Sequence, residues 1–166
     1  MPEPTASFFV GSVPVYGDVI LAPMDGYSDW PFRSLCRSLG SAMSYTEFVK
    51  SDDIVHLFRR VRAKMTFEEA ERPVTVQIYG DDPQVMLEAA LIAQDLGPDI
   101  IDVNMGCPAK SVAHRGCGVG LMRNPRRVGE IFAKLTANLQ IPVTGKIRLG
   151  WDDCISYREV AHIAED

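Results

Sequence analysis

The sequence reads as an α/β protein built on a parallel sheet, and three observations lead there. Short strand-like runs alternate with helix-like segments five times along 166 residues, the pattern that favours parallel pairing through crossover helices. Three of the runs carry apolar residues on one parity and an amide, carboxylate or cation on the other. Aspartate or asparagine close before a proline opens three of the helical segments, and glycine closes two of them, which is the punctuation of short, tightly joined units.

In chain order, residues 18–24 (DVILAPM) are expected as the first strand. Residues 30–39 follow as a helix with Ser28 or Asp29 as its cap, Pro31 in its first turn and Gly40 as its stop. Phe32, Leu35, Cys36 and Leu39 share one face of that helix, which makes Cys36 a core residue by default. Residues 43–49 read as the second strand, followed by a polar loop and a short helix around residues 56–65. Residues 73–80 are the third strand, and Asp82 with Pro83 opens a helix whose Met86, Ala89, Ala90, Ala93 and Leu96 fall at helical spacing up to Gly97. Residues 99–106 are the fourth strand. Asn124 and Pro125 then start a helix that buries Val128, Ile131, Phe132, Leu135 and Leu139. Residues 142–150 are the fifth strand, and a last helix begins at Ser156. No low-complexity linker divides the chain.

Strand parity points to a site. Thr75, Gln77 and Tyr79 lie opposite Val74, Val76 and Ile78; Asp102 and Asn104 lie opposite Ile101, Val103 and Met105; Thr144, Lys146 and Arg148 lie opposite Val143, Ile147 and Leu149. A parallel sheet covered by helices is buried and mostly apolar on both faces. One polar residue there is a satisfied core group, whereas polar residues on one parity of three strands indicate a polar ligand at the strands' carboxyl ends, where α/β active sites are built.

The richest stretch is residues 99–122, DIIDVNMGCPAKSVAHRGCGVGLM, in which an apolar strand ends in an Asn, a Cys and a glycine-rich turn. Most free cysteines are small buried hydrophobes. Cys107, bracketed by Gly106 and Pro108 and followed by Lys110, His114 and Arg115, is instead read as a functional thiol. Cys107, His114, Cys117 and Cys154 are nominal metal ligands, but without a C-x-x-C or H-x-x-x-H pair no metal is expected. A net charge of −5 excludes a generally basic nucleic-acid binder, so any RNA contact must be local. Four cysteines without close pairs, an amino terminus with no basic n-region, and no run of about 20 apolar residues lead us to expect a reduced, soluble, cytoplasmic protein without a membrane partner.

Four segments, LAPMDGYSDWPFR (residues 21–33), VQIYG (76–80), DVNMGCPAKSVAHRGCGVGLM (102–122) and GKIRLGW (145–151), resemble in sequence and order the flavin-dependent tRNA-dihydrouridine synthases. The resemblance runs from about Asp18 to the last residue. It implies a (β/α)8 TIM barrel, of which residues 1–166 would be an amino-terminal portion of about five β/α units, a complete barrel taking about 250 residues. The carboxyl-terminal barrel half and a helical tRNA-binding domain are expected to be absent, and the open sheet edges to favour self-association.

The same resemblance implies the reduction of specific uridines in tRNA to 5,6-dihydrouridine, with FMN as cofactor and NADPH or NADH as reductant. Pro23, Met24, Asp25, Gln77 and Lys146 would hold FMN, Gln77 because its amide both donates and accepts, and Lys146 because a cation near the flavin's pyrimidine end stabilises the charge of the reduced ring. Cys107 would be the general acid that protonates C5 of uracil after hydride reaches C6, since an ordinary thiol of pKa about 8.5 is mostly protonated at neutral pH. Asn104, Lys110, Arg115 and Arg148 would meet the flipped-out base or the RNA around it. His114, Arg123, Arg126 and Arg127 read as solvated. Cys117 takes the place of a small residue, as packing or as a disulfide partner of Cys107 under oxidation. Two other readings stay open: a dihydroorotate-dehydrogenase-like FMN barrel, which would share Lys146 and Cys107, and a catalytically silent fragment that assembles with another chain.

Overall fold

The computed structural model describes residues 5–151 and 154–165. A short antiparallel hairpin, β1 (Phe8–Val10) and β2 (Val13–Val15), turns at Gly11, whose φ of 56° suits glycine. The main sheet contains β3 (Ser44–Tyr45), β4 (Val49–Lys50), β5 (Val74–Tyr79), β6 (Ile100–Met105) and β7 (Val143–Ile147). All its pairings are parallel: β5 is flanked by β3 and β4 on one side and β6 on the other, and β7 adds to β6. The helices are α1 (Trp30–Ser38), α2 (Ser51–Val61), α3 (Pro83–Gln94), the single turn α4 (Lys110–Ala113), α5 (Pro125–Asn138) and α6 (Tyr157–Glu165).

Residue type explains the layers. Val76, Ile78, Ile101, Val103 and Met105 form one buried cluster with Met86, Ala89, Ala90 and Ala93 of α3 and Val128, Ile131 and Leu135 of α5. Thr75 and Gln77, on the other parity of β5, are just as fully buried. Asp29, Asp82 and Asn124 cap α1, α3 and α5 by accepting first-turn N–H groups, each with a proline at the start of its helix.

Several expectations need correction. Residues 18–24 run without a ladder: Ala42 N–H donates to the Val19 carbonyl, but the N–H groups of Leu21 and Met24 go to the hydroxyls of Ser41 and Ser28. The strand expected at residues 43–49 is split into β3 and β4, because Thr46 Oγ1 accepts the Gln77 N–H that a ladder carbonyl would otherwise take. The helix expected around residues 56–65 starts earlier, at Ser51, where Asp52 and Asp53 suit a helix amino terminus, and ends in a tight turn over Arg62–Met65. The fifth strand closes at Ile147, before Arg148 and Leu149.

The largest correction concerns α1. Its expected core face is open, with Phe32, Leu35 and Leu39 39%, 55% and 78% exposed, and Cys36 is half-buried. The residue α1 buries is Arg33. Its Nε donates to Glu71 Oε2 at 2.7 Å, Nη1 to the Ser28 carbonyl at 2.8 Å and Nη2 to the Thr66 carbonyl at 2.6 Å, so the guanidinium joins α1 to the turn at Glu69–Glu71. Ser28 Oγ in turn holds both the N–H and the carbonyl of Met24. No helix among the described residues is long and apolar enough to cross a membrane.

Removing one partner of a fully buried ion pair strands the other charge, at a cost of about 3–5 kcal/mol. Arg33 and Glu71 are each 1% exposed, so Glu71→Ala is expected to lower the urea-unfolding free energy by that amount. A loss below about 1 kcal/mol would mean that Arg33 finds solvent instead.

Candidate functional site

Register assembles the site. Gln77 on β5 pairs with Asp102 on β6, which pairs with Thr144 on β7, and one pleat toward the carboxyl ends Asn104 pairs with Lys146. These side chains are bonded in series. Thr144 Oγ1 donates to Asp102 Oδ1 at 2.6 Å, Gln77 Nε2 to Asp102 Oδ2 at 2.6 Å, and Asn104 Nδ2 to Gln77 Oε1 at 2.9 Å. Asn104 Oδ1 then accepts the N–H groups of Gly106 at 3.1 Å and Cys107 at 2.9 Å. Arg148 Nε donates to the Gly106 carbonyl at 2.6 Å, tying the end of β7 to the same loop.

Above this network lies a cleft of about 210 Å³ lined by Pro23, Phe48, Asn104, Gly106, Cys107, Pro108, Lys146 and Arg148. Cys107 is held from behind by Val119 N–H, which donates to its carbonyl at 3.1 Å. Gly118 permits that approach: at φ 56° a Cβ there would stand 2.7 Å from the Cys107 carbonyl oxygen. Among the described residues the lining thus supplies one thiol, two cations and an amide around apolar walls, and no carboxylate.

Electrostatics separate the groups. Burial pushes the Asp102 carboxyl up to about 6 even though Thr144, Gln77 and the Lys146 charge oppose the shift. Burial, and then the Asp102 charge, push the Tyr45 phenol up. Burial and the neighbouring Asp81 carboxylate push the Cys117 thiol up to about 11.

Five residues singled out in the sequence, Pro23, Asn104, Cys107, Lys146 and Arg148, converge on the cleft. Gln77 lies beneath it, fully buried, with one end of its amide on Asp102 and the other on Asn104. Met24 is half-buried beside Pro23 with its backbone committed to Ser28. Asp25 is exposed and pairs with Lys64, which also faces Glu47 at 3.6 Å. Lys110 and Arg115 are exposed on the connection after Cys107, outside the cleft lining. Phe48 and Gly118 were not singled out, and Ser28 was named only as a possible helix cap. Only the glycine carried a signal, in the GCGVG turn, and Thr144 with Asp102 was visible as polar parity alone.

The chain matches the family model described as "Dihydrouridine synthase (Dus)" over residues 20–166. It is 43% identical to the tRNA-dihydrouridine synthase B of Pseudomonas syringae pv. tomato over 157 residues, covering 94% of this chain and 47% of that protein. It is 43% identical to the tRNA-dihydrouridine synthase B of Pseudomonas aeruginosa over 143 residues, 86% of this chain and 43% of the relative. For the protein of that name in Xanthomonas axonopodis pv. citri the identity is 40% over 158 residues, 95% and 48% of the two chains. The chain spans about half the length of these curated relatives.

Asp102 keeps its proton to about pH 6 in the fold, whereas an unfolded chain releases it near 3.9. Between those values the native state binds the extra proton, so the contribution of Asp102 to stability falls as pH rises through the window. The unfolding free energy of the wild type minus that of Asp102→Asn is expected to decline from about pH 4 to about pH 6 and to level above it. A difference that stays flat in urea titrations across this range would show an Asp102 that titrates normally.

Proposed function

Because the chain belongs to the dihydrouridine synthase family, whose fold is the (β/α)8 barrel, we propose that it carries the flavin-facing and proton-donating part of an enzyme that reduces uridines of tRNA to 5,6-dihydrouridine. The observation that carries this reading is the strand-end cleft in which Cys107 meets Asn104, Lys146, Arg148 and Pro23. The parallel sheet and its alternating helices are a portion of the barrel wall, and the cleft opens at the carboxyl ends of its strands, where barrel enzymes do their chemistry.

The described residues fit FMN by their chemistry: two cations, an amide and the apolar Pro23 and Phe48, with no carboxylate among those that line the cleft. When bound and reduced by NADPH or NADH, FMN supplies the hydride. Lys146 would offset the negative charge of the reduced ring, and Pro23 would give it an apolar ledge. Gln77 and Asn104 already bond each other, so each offers a ring only its remaining N–H or lone pair. Arg148 would face the uracil or a phosphate. The Cys107 thiol gives its proton to C5 of the uracil as C6 receives the hydride, and the thiolate left behind recovers a proton from solvent. Lys110 and Arg115, exposed on the following connection, would contact RNA phosphates, which position without reading sequence.

Two substitutions test the assignment in the flavin-loaded enzyme. Cys107→Ala is expected to leave flavin reduction by NADPH intact and to slow dihydrouridine formation on unmodified tRNA by about 10²- to 10⁴-fold, the usual contribution of a general acid. Turnover within a few-fold of wild type would remove Cys107 from the mechanism. Lys146→Ala is expected to yield flavin-poor protein with a lowered flavin potential. Full occupancy at an unchanged potential would show that Lys146 serves something else.

A further inference from the structure

Resting on that assignment of the cleft, we propose that Asp102 is a positioning residue: its acceptor-only carboxylate sets the direction of a hydrogen-bond relay through Gln77 and Asn104 that holds the backbone of Cys107 in place. The relay has two ends of fixed character. At one end the N–H groups of Gly106 and Cys107 can only donate, and at the other the ionised Asp102 can only accept. Between them stand two primary amides, each of which can be turned either way about its last torsion. Only one orientation of both satisfies every bond: Cys107 N–H to Asn104 Oδ1, Asn104 Nδ2 to Gln77 Oε1, and Gln77 Nε2 to Asp102 Oδ2, so all donors point toward Asp102.

Turning one amide forces the next to turn. A donor at position 102 facing Gln77 would reverse Gln77, then Asn104, and would bring Asn104 Nδ2 against the Cys107 N–H, donor to donor. A buried donor without an acceptor is costly, so the loop would leave β6 rather than accept that arrangement. Asp102 is 1% exposed, Gln77 0% and Asn104 5%, so water does not substitute within the series. Thr144 completes the anchor by donating to Asp102 Oδ1, which leaves Oδ2 for Gln77. Of the neighbouring strands, β7 contributes Lys146 as the charged group facing Asp102, and β3 contributes Tyr45 as the titratable one.

The test is amide NMR on the full chain, without flavin or tRNA, so that failure of the assigned activity and failure of the relay are read separately. In the wild type the Gly106 and Cys107 amide signals are expected to shift together with pH on a single midpoint near that of the Asp102 carboxyl. In Asp102→Asn that shift should vanish while both amides stay protected from exchange, because the asparagine can still present Oδ1 to Gln77 and its NH2 group to Thr144. In Asp102→Leu both amides should exchange about tenfold faster relative to Ile101 and Val103. In the flavin-loaded enzyme the leucine variant should lose kcat, with the asparagine variant within a few-fold of wild type. Protected loop amides in a folded Asp102→Leu protein would overturn the proposal. So would wild-type loop amides that ignore pH from 4 to 8, and this second measurement decides the matter if the leucine variant does not fold.

Discussion

The site depends on one constraint, the parallel register of β5, β6 and β7. Because side chains alternate with period two, pairing Gln77 with Asp102 and Asp102 with Thr144 puts three polar groups on one face at one height. A slip of one residue in β6 would place Asp102 among Met86, Ala90 and Ile131 and push Val103 into the polar layer. The apolar parity therefore does two jobs. It forms the core with α3 and α5, and it fixes where the polar parity ends, so that Asn104 stands at the last position of β6 that still faces the network, two residues before the loop that carries Cys107.

That loop is shaped by close backbone approaches as much as by bonds. Cys107 is pinned on both sides, its N–H by Asn104 and its carbonyl by Val119. Any side chain at Gly118 would collide with the Cys107 carbonyl and with Val112. Cys117, one residue earlier, is turned inward, with its sulfur 3.8 Å from Asp81 Oδ1, and burial beside that carboxylate keeps its thiol protonated. The two cysteines of one short segment thus have opposite environments: Cys107 opens to a cleft with cations, and Cys117 packs against an anion.

How much of this was legible follows from the range of the interactions involved. The long strands and helices showed in local pattern, since Asp82 and Asn124 cap their helices with their own side chains and β5 and β6 alternate cleanly. That Asn104, Cys107, Lys146 and Arg148 lie together at one cleft was legible because neighbouring parallel strands bring their carboxyl ends side by side, whereas Pro23, which joins them there, was suggested by the resemblance and sits outside any strand. The α1 face was misread because its orientation depends on Glu71, 38 residues away, which draws Arg33 inward and turns Leu35 and Leu39 outward. No helical periodicity contains that information. The break between β3 and β4 was equally hidden, for the Thr46 hydroxyl competes with the backbone for a ladder donor, and threonine in a strand ordinarily favours the strand. Polar parity revealed that Gln77, Asp102 and Asn104 belong together, but which atom of each amide faces which neighbour is a property of the assembled row.

The charges of the row act at two depths, and the difference decides what each can do. Asp102 is sealed under the sheet's polar face, and its carboxyl stays above its ordinary range although Lys146 attracts its charged form. Lys146 sits one pleat higher, exposed at the cleft, near enough to attract the charged form of Asp102 while its own charge is open to whatever enters. Were the two paired directly, the carboxylate would be held low and the cation would be spent. As it stands, the cation is exposed to whatever occupies the mouth, and the carboxylate beneath serves as the acceptor ending a line of donors.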